Sequence, residues 1–182
     1  MQTAPIPSNE EERLNSVKSL HILDTKPEVR FDRITREAAT NLRVPICTIT
    51  IVDAKREWYK SCVGVVQPEG PRESSFCGHT VVSGNKILII PDTLKDDRFR
   101  DNPQVTGKPH VRFYAGVTLH DRRTHLPVGA FCIKDNQPRE LTVEEMDTLL
   151  DYANQAEYEI NNGALDQEIT YVKDSAPGLS ST

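Results

Sequence analysis

The stretch SSFCGHT at residues 74–80 decides the local fold, together with VGAFCIKD at residues 128–135. Ser75 is a residue type that caps helix N-termini, so a short helix that opens on Cys77 is predicted. The apolar and alternating character of residues 128–135 predicts a strand that carries Cys132. The two stretches therefore place one thiol at the start of a helix and a second thiol inside a sheet.

A long polar segment at residues 92–112 lies between these two stretches. No apolar period persists along it, but Phe99, Val105 and Val111 supply apolar anchors, so we expect it to pack against the domain. Loops of this length in compact domains usually form lids or binding loops. This layout predicts a small α/β domain with a pocket, suited to sensing a molecule rather than converting it.

Three longer helices are predicted from apolar periodicity and capping residues. The first covers about residues 9–23 and begins with a capping box at residues 8–11. The last covers residues 143 to about 162 and begins with a capping box at residues 142–145. The middle helix ends before Pro45, because proline cannot continue a helix. Its apolar stripe consists of Phe31, Ile34, Ala38 and Leu42.

Alternating or apolar runs predict five strands. Residues 46–52 and 57–63 form a first hairpin, and residues 113–120 and 128–135 form a second. The run at residues 87–91 is apolar throughout, which favours a central strand. Few connections have the length of a βαβ crossover, so we expect an α+β fold with a mostly antiparallel sheet and helices on one face.

The composition is typical of a soluble globular protein. The chain has 182 residues, a formal net charge of −5 and no basic face for nucleic acid. It has neither a signal peptide nor an apolar run long enough to span a membrane, which predicts a cytoplasmic protein. Its four cysteines lack CxxC spacing, which favours reduced thiols and predicts no metal site. We expect a flexible N-terminus at 1–7, a single domain at 8–163 and a partly disordered extension at 164–182.

The chain also carries a series of short motifs with a characteristic order and spacing. They are HILDT at 21–25, RFDRI at 30–34, VPI at 44–46, SFCGHT at 75–80, DRF at 97–99, DNP at 101–103, VRFYAG at 111–116 and GAFC at 129–132. This series resembles the GAF domain, a sensory fold related to PAS, and in particular the bacterial subgroup often joined to histidine kinases and diguanylate cyclases. The resemblance implies a six-stranded antiparallel sheet and a pocket roofed by residues 92–112. The signature of cyclic-nucleotide GAF domains is missing, and the resemblance leaves the ligand and any cofactor unknown.

Seven residues are candidates for lining this pocket: Cys77, His79, Asp92, Phe99, Arg112, Tyr114 and Cys132. At a helix N-terminus the dipole lowers the pKa of a thiol such as Cys77, although packing as a small apolar residue is the simpler interpretation. Arg112 suits an anionic ligand or an ion pair within the loop, and Asp92 suits a ligand donor or a loop cap. No arrangement typical of a catalytic site is found.

Together these features predict a non-catalytic sensory or regulatory domain of a signal-transduction system, with a small-molecule ligand of unknown identity. We expect the first and last helices to pair in a homodimer, and an output kinase or cyclase domain to lie outside this chain. Three alternatives stay open. They are a GAF-fold reductase of free methionine-(R)-sulfoxide that uses Cys77 and Cys132, a photoreceptor with a bilin bound through a cysteine, and a dimerisation module without a ligand.

Overall fold

The computed structural model describes residues 1–175, and the side chains of residues 1–163. The strands within these residues are β1 (Ile46–Val52), β2 (Arg56–Val63), β3 (Glu69–Pro71), β4 (Ile87–Ile90), β5 (Phe113–His120) and β6 (Pro127–Asp135). They form one six-stranded sheet in the order β3-β2-β1-β6-β5-β4, and every neighbouring pair is antiparallel. The predicted α+β class and both predicted hairpins are confirmed.

The two edge strands differ from the sequence-based prediction. Strand β4 lies at an edge, whereas its apolar run predicts a central strand. The run is apolar because both of its faces are covered: Ile87 and Ile89 pack against one core, and Leu88 packs against the other. Covered faces make a strand apolar whether or not both of its edges are paired. Strand β3, at the opposite edge, lies where the sequence pattern indicates a loop, because Gly70 and Pro71 are rare inside strands.

Helices α1 (Glu10–Ser19), α2 (Val29–Leu42) and α5 (Val143–Ser175) pack on one face of the sheet. No helix in the described chain has the length and apolarity needed to cross a bilayer. The predicted stripe of α2 is confirmed, since its four members are at most 1 % exposed. These residues form the larger core with the inward side chains of β1, β5 and β6, which include Ile49, Phe113, Val117 and Phe131.

Helix α5 begins as predicted but extends further. The backbone N–H of Thr142 donates to the Glu145 carboxylate at 2.9 Å, and the N–H of Glu145 donates to Thr142 Oγ1 at 3.1 Å. Both bonds of the capping box are therefore present. The helix continues to Ser175 rather than ending near residue 162. The extension expected at 164–182 thus starts within this helix, and residues 176–182 lie outside the described residues.

The start of α1 is held by tertiary contacts rather than by the predicted capping box at residues 8–11. Asn9 occupies the N-cap position without a side-chain capping bond, and the helix ends earlier than predicted. The Glu10 carboxylate instead accepts hydrogen bonds from Arg13 at 2.8 Å and from Arg72. Both arginines are buried, so this ion-pair cluster anchors α1 to the rest of the domain.

Helix α3 (Phe76–Val82) and residues 92–112, which include α4 (Pro103–Thr106), pack on the other face of the sheet. Ser75 caps α3 as predicted, because its Oγ accepts the Gly78 N–H at 2.8 Å. The long segment is packed down as expected. Its anchors Phe99, Val105 and Val111 are at most 1 % exposed, and the rings of Phe99 and Phe76 stack 4.4 Å apart. The space between this part of the segment and the sheet is filled by side chains.

The N-terminal segment lies across this second face, and the flexibility expected of residues 1–7 stays a prediction. The N–H of Gln2 donates to the Arg98 carbonyl at 3.0 Å, and Ala4 is 2 % exposed. Ala4 packs directly on α3, because a Cβ built at Gly78 would meet the Ala4 Cβ at 2.8 Å. The glycine at this position leaves room for the N-terminal segment.

Candidate functional site

Phe76, Phe99 and Tyr114, with their buried apolar neighbours, form a second core between α3, the long segment and the sheet. A cavity of about 560 Å³ opens beside this second core, at the end of the sheet where β1, β2 and β6 meet the β2–β3 connection and α4. This volume is in the range of small-molecule sites. Its wall is largely apolar and includes Ile46, Val65, Val66, Pro71, Pro103 and Pro109. The roof is therefore shared between residues 103–109 of the long segment and the β2–β3 connection, whereas the resemblance implied a roof made by the long segment alone.

Two buried side chains of opposite charge line this cavity. Glu57 on β2 is 1 % exposed and Lys134 on β6 is 3 % exposed. No ion pair joins them, and no other side chain of opposite charge lies within 4.0 Å of either one in the described chain. A buried charge without a counter-ion in contact is rare, because the free-energy cost of removing the charge from water is not offset. The pair makes this cavity chemically distinct from the rest of the interior.

Glu57 is held by two neutral hydroxyl donors. Its Oε1 accepts a hydrogen bond from the Tyr59 hydroxyl at 2.6 Å, and its Oε2 accepts one from Ser75 Oγ. Ser75 is the cap of α3, so the carboxylate connects β2 to the start of that helix. Gly70 lies opposite on β3, where an added Cβ would approach Glu57 Oε1 to 3.3 Å. A side chain at this position would crowd the carboxylate at the cavity wall.

Lys134 is held by α4. It follows Cys132 on the face of β6 that points toward α3, and its Nζ donates to Gln104 Oε1 at 2.8 Å. The Nζ also lies 5.4 Å from the centre of the Phe76 ring. Burial lowers the pKa of Lys134, but the Glu57 charge and the nearby thiols outweigh this effect, so the pKa is raised from its ordinary value. Lys134 is therefore a buried cation at neutral pH.

Five of the seven predicted residues come together in the second core rather than in the cavity wall: Cys77, His79, Phe99, Tyr114 and Cys132. The Sγ atoms of Cys77 and Cys132 are 3.6 Å apart, and the Tyr114 hydroxyl is 3.6 Å from the Cys77 Sγ. The hydrogen bond to Cys132 and complete burial raise the pKa of Cys77, which is opposite to the helix-dipole effect considered from sequence. Both thiols are 0 % exposed, as expected for small packing residues.

The three polar candidates hold neighbouring segments in place: His79 contacts the N-terminal segment, and Asp92 and Arg112 stabilise the long segment. His79 Nε2 lies 3.1 Å from the Gln2 carbonyl oxygen, and burial lowers the pKa of this imidazole. Asp92 caps a short 3₁₀ turn by accepting the Leu94 N–H at 3.2 Å. Arg112 donates to the Val105 carbonyl at 3.0 Å within the long segment. None of the seven candidates belongs to the wall of the large cavity, and their role in ligand binding stays a prediction.

The sequence patterns do not mark four of the charged and polar residues of the cavity wall as candidates: Glu57, Tyr59, Gln104 and Lys134. A signal was present for two of them. Lys134 continues the inward alternation of Ala130 and Cys132, and Glu57 begins a strand next to the buried Trp58. A charged residue at an inward strand position is unusual, so the alternation of the strand is enough to mark it as a candidate site.

Comparison with known proteins identifies the family. The model of the GAF domain matches residues 26–160. A cyclic di-GMP phosphodiesterase of Pseudomonas aeruginosa is 35 % identical over 139 residues, which cover 76 % of this chain and 23 % of that protein. The chain thus spans less than a quarter of the length of this relative.

Solved structures show the same fold at low sequence identity. The GAF domain of PixJ from Thermosynechococcus elongatus, in its blue-light absorbing form, aligns with a TM-score of 0.63 and 15 % identity over 95 % of this chain and 100 % of that one. A free methionine-R-sulfoxide reductase from Neisseria meningitidis aligns with a TM-score of 0.60 and 9 % identity over 92 % of this chain and 99 % of that one. The matched family model, the relative and the sheet order agree with the motif series, and the chain belongs to the GAF domain family.

Proposed function

We propose that this GAF domain is a non-catalytic sensory or regulatory module that binds a small molecule in the cavity between β2, β6 and α4. The observation that supports the proposal most directly is the pair of buried, unpaired charges, Glu57 and Lys134, in an otherwise largely apolar wall. Ligand sites typically combine an apolar wall with a few fixed polar groups. The domain would act in the cytoplasm as part of a signal-transduction system.

Binding in this cavity has a physical route to the surrounding elements. Gln104 on α4 contacts Lys134 and also donates to the Ser74 carbonyl at 3.3 Å, while Glu57 contacts the cap residue Ser75. A ligand that replaces either contact changes the packing of α3 or α4. Because a ligand shifts an equilibrium only by its difference in affinity for two states, these replaceable contacts are where such a difference would arise.

The output of the module lies outside the cavity. We propose that α1 and α5 pair in a homodimer and transmit the bound state to an output domain, a kinase or a cyclic di-GMP enzyme, elsewhere in the same protein or in a partner. The length of α5, 33 residues, exceeds what packing on one sheet requires and supports this arrangement. The similarity to part of a cyclic di-GMP phosphodiesterase also supports a connection to such an enzyme.

A second candidate function is reduction of free methionine sulfoxide. The 3.6 Å separation of Cys77 and Cys132 and the shared fold with reductases favour it. The complete burial of both thiols and their position outside the cavity wall weigh against it. A turnover assay with methionine sulfoxide and a dithiol reductant separates the two candidates: activity that Cys77→Ala abolishes would replace the sensory proposal.

The sensory proposal is tested by native mass spectrometry of the protein purified from its own host. We expect a small molecule that is released on denaturation and that raises the melting temperature when it is added back. The variant Val65→Trp, which places a large ring at the cavity wall, should lose this molecule. The matched variant Val29→Trp, at an exposed position of α2, should retain it. The absence of any released molecule, with no stabilisation by extracts of the host, would contradict the proposal.

A further inference from the structure

Lys134 differs from the other buried cations of the domain. Each of the other Lys and Arg side chains buried in the described chain forms an ion pair: Arg13 and Arg72 with Glu10, and Lys60 with Glu28 at 2.5 Å. Lys134 is 3 % exposed and has no carboxylate within 4.0 Å among the described residues. Glu57 lies in the same cavity but farther than 4.0 Å from the ammonium, so an anion that contacts Lys134 directly is expected to come from outside the chain.

The contacts of Lys134 leave hydrogen-bonding capacity unused. A lysine ammonium has three N–H donors, and one of them is used by Gln104 Oε1 at 2.8 Å. The face of the Phe76 ring, 5.4 Å away, is a further favourable but non-directional contact. Lys134 lines the large cavity, so a molecule in that cavity is within reach of its remaining donors.

The rest of the cavity wall restricts which anion would fit. Glu57 carries a negative charge in the same cavity and repels a second anionic group. The same carboxylate, with the Tyr59 hydroxyl beside it, offers acceptors for a donor group on the ligand. The proline and valine side chains of the wall suit an apolar body. These features disfavour polyanions and favour a molecule with a single anionic group.

We propose that the ligand is a small organic anion with an apolar body and one carboxylate or phosphate group, which accepts hydrogen bonds from Lys134. The inference rests on the proposed function, since it names the ligand class of the same cavity. The ligand anion would take the position of the neutral Gln104 oxygen as partner of the ammonium. Gln104 would then be released from Lys134, and α4 would lose one of its contacts with the sheet.

The test uses three probes of similar shape in a titration of the full chain followed by nuclear magnetic resonance. Phenylacetate carries a carboxylate, phenyl phosphate carries a phosphate, and phenylacetamide is neutral. We expect the anions to shift the Gln104 side-chain amide signal and to bind about tenfold more tightly than the amide, as a charge-assisted hydrogen bond predicts. The anion that binds more tightly shows whether the site prefers a carboxylate or a phosphate.

Three variants test the role of Lys134. Lys134→Met, which removes the charge but keeps the chain length, should remove the preference for anions, whereas Lys134→Arg should keep it. Lys108 also lines the cavity but is exposed, so Lys108→Met is the matched control and should bind the anions as the wild type does. If Lys134→Met does not fold, the comparison of wild type, Lys134→Arg and the neutral amide still decides the question.

The outcomes separate the inference from the function on which it rests. If phenylacetamide binds as tightly as phenylacetate, or if Lys134→Met keeps the preference for anions, the anion class is wrong while the cavity remains a binding site. If none of the probes shifts the cavity signals at 20 mM, the inference is also overturned. Native mass spectrometry then tests the proposed function independently. A neutral or cationic co-purifying molecule would support the sensory function, and the absence of any co-purifying molecule would contradict it.

Discussion

Replacing Phe99 by alanine tests whether the long segment is a packed part of the domain or a loose cover. The Phe99 ring is fully buried, stacks on Phe76 with centroids 4.4 Å apart, and meets the edge of His79 at 4.7 Å. Truncation of a buried Phe to Ala costs about 3–5 kcal/mol, because apolar burial is lost and a cavity is left. For a chain of this size, each kcal/mol lowers the melting temperature by about 2–4 °C.

We therefore expect Phe99→Ala to lower the free energy of unfolding by about 4 kcal/mol and the melting temperature by roughly 8–16 °C. Urea unfolding followed by circular dichroism measures the first quantity, and calorimetry measures the second. Leu94→Ala, at a side chain that is 51 % exposed in the same segment, is the control and should change stability by less than about 0.5 kcal/mol. A cost below about 1 kcal/mol for Phe99→Ala would refute the packed arrangement.

Three further predictions concern thiols, acid stability and capping. In the folded protein Cys62, the half-buried thiol, should react first with a thiol reagent, and Cys77 and Cys132 should stay unreactive; fast labelling of either would contradict their burial. Burial alone would raise the pKa of Glu10, but its two buried arginine partners hold this pKa at about 2, below the ordinary 4.5. The stability that ionised Glu10 contributes is thus complete above about pH 5 and is lost as the pH falls toward 2. The loss is about 2 kcal/mol once solvent screening is allowed for. In unfolding measured as a function of pH, Glu10→Gln should therefore reduce the fall in stability between about pH 5 and pH 2. Thr142→Ala should cost about 1 kcal/mol in urea unfolding, and no loss would argue against the α5 capping box.

The contrast between the two capping boxes shows how far local sequence can be used. Residues 8–11 and 142–145 carry the same pattern, but the cap forms at Thr142 alone. At α1 Asn9 takes the N-cap position without a capping bond, and the neighbouring Glu10 pairs with Arg13 and with Arg72, which is distant in sequence. Local patterns predict an element well where solvent surrounds its end, and poorly where a distant charge competes.

The candidate site was harder to predict than the fold for a related reason. The apolar stripe of α2 and both hairpins can be predicted because the periodicity that specifies them lies within a short stretch of sequence. The environment of Cys77 depends on what lies beneath α3, and the pairing state of Lys134 depends on residues from β2 and α4. Alternation along β6 shows that Lys134 points inward, but it does not show whether a carboxylate of another element contacts the ammonium. Such information requires tertiary structure.

The position of α1 affects how this domain should be produced for experiments. The matched family segment begins at residue 26, yet Arg13 and Val17 are both 0 % exposed, and Arg13 Nη1 donates to the Val52 carbonyl at 2.8 Å. A fragment trimmed to the family boundaries would expose the apolar surface beneath Val17. It would also leave the Val52 carbonyl, at the end of β1, without its hydrogen bond from Arg13. Expression designs should therefore include α1 and the residues that precede it, because the unit that folds is larger than the motif by which it is recognised.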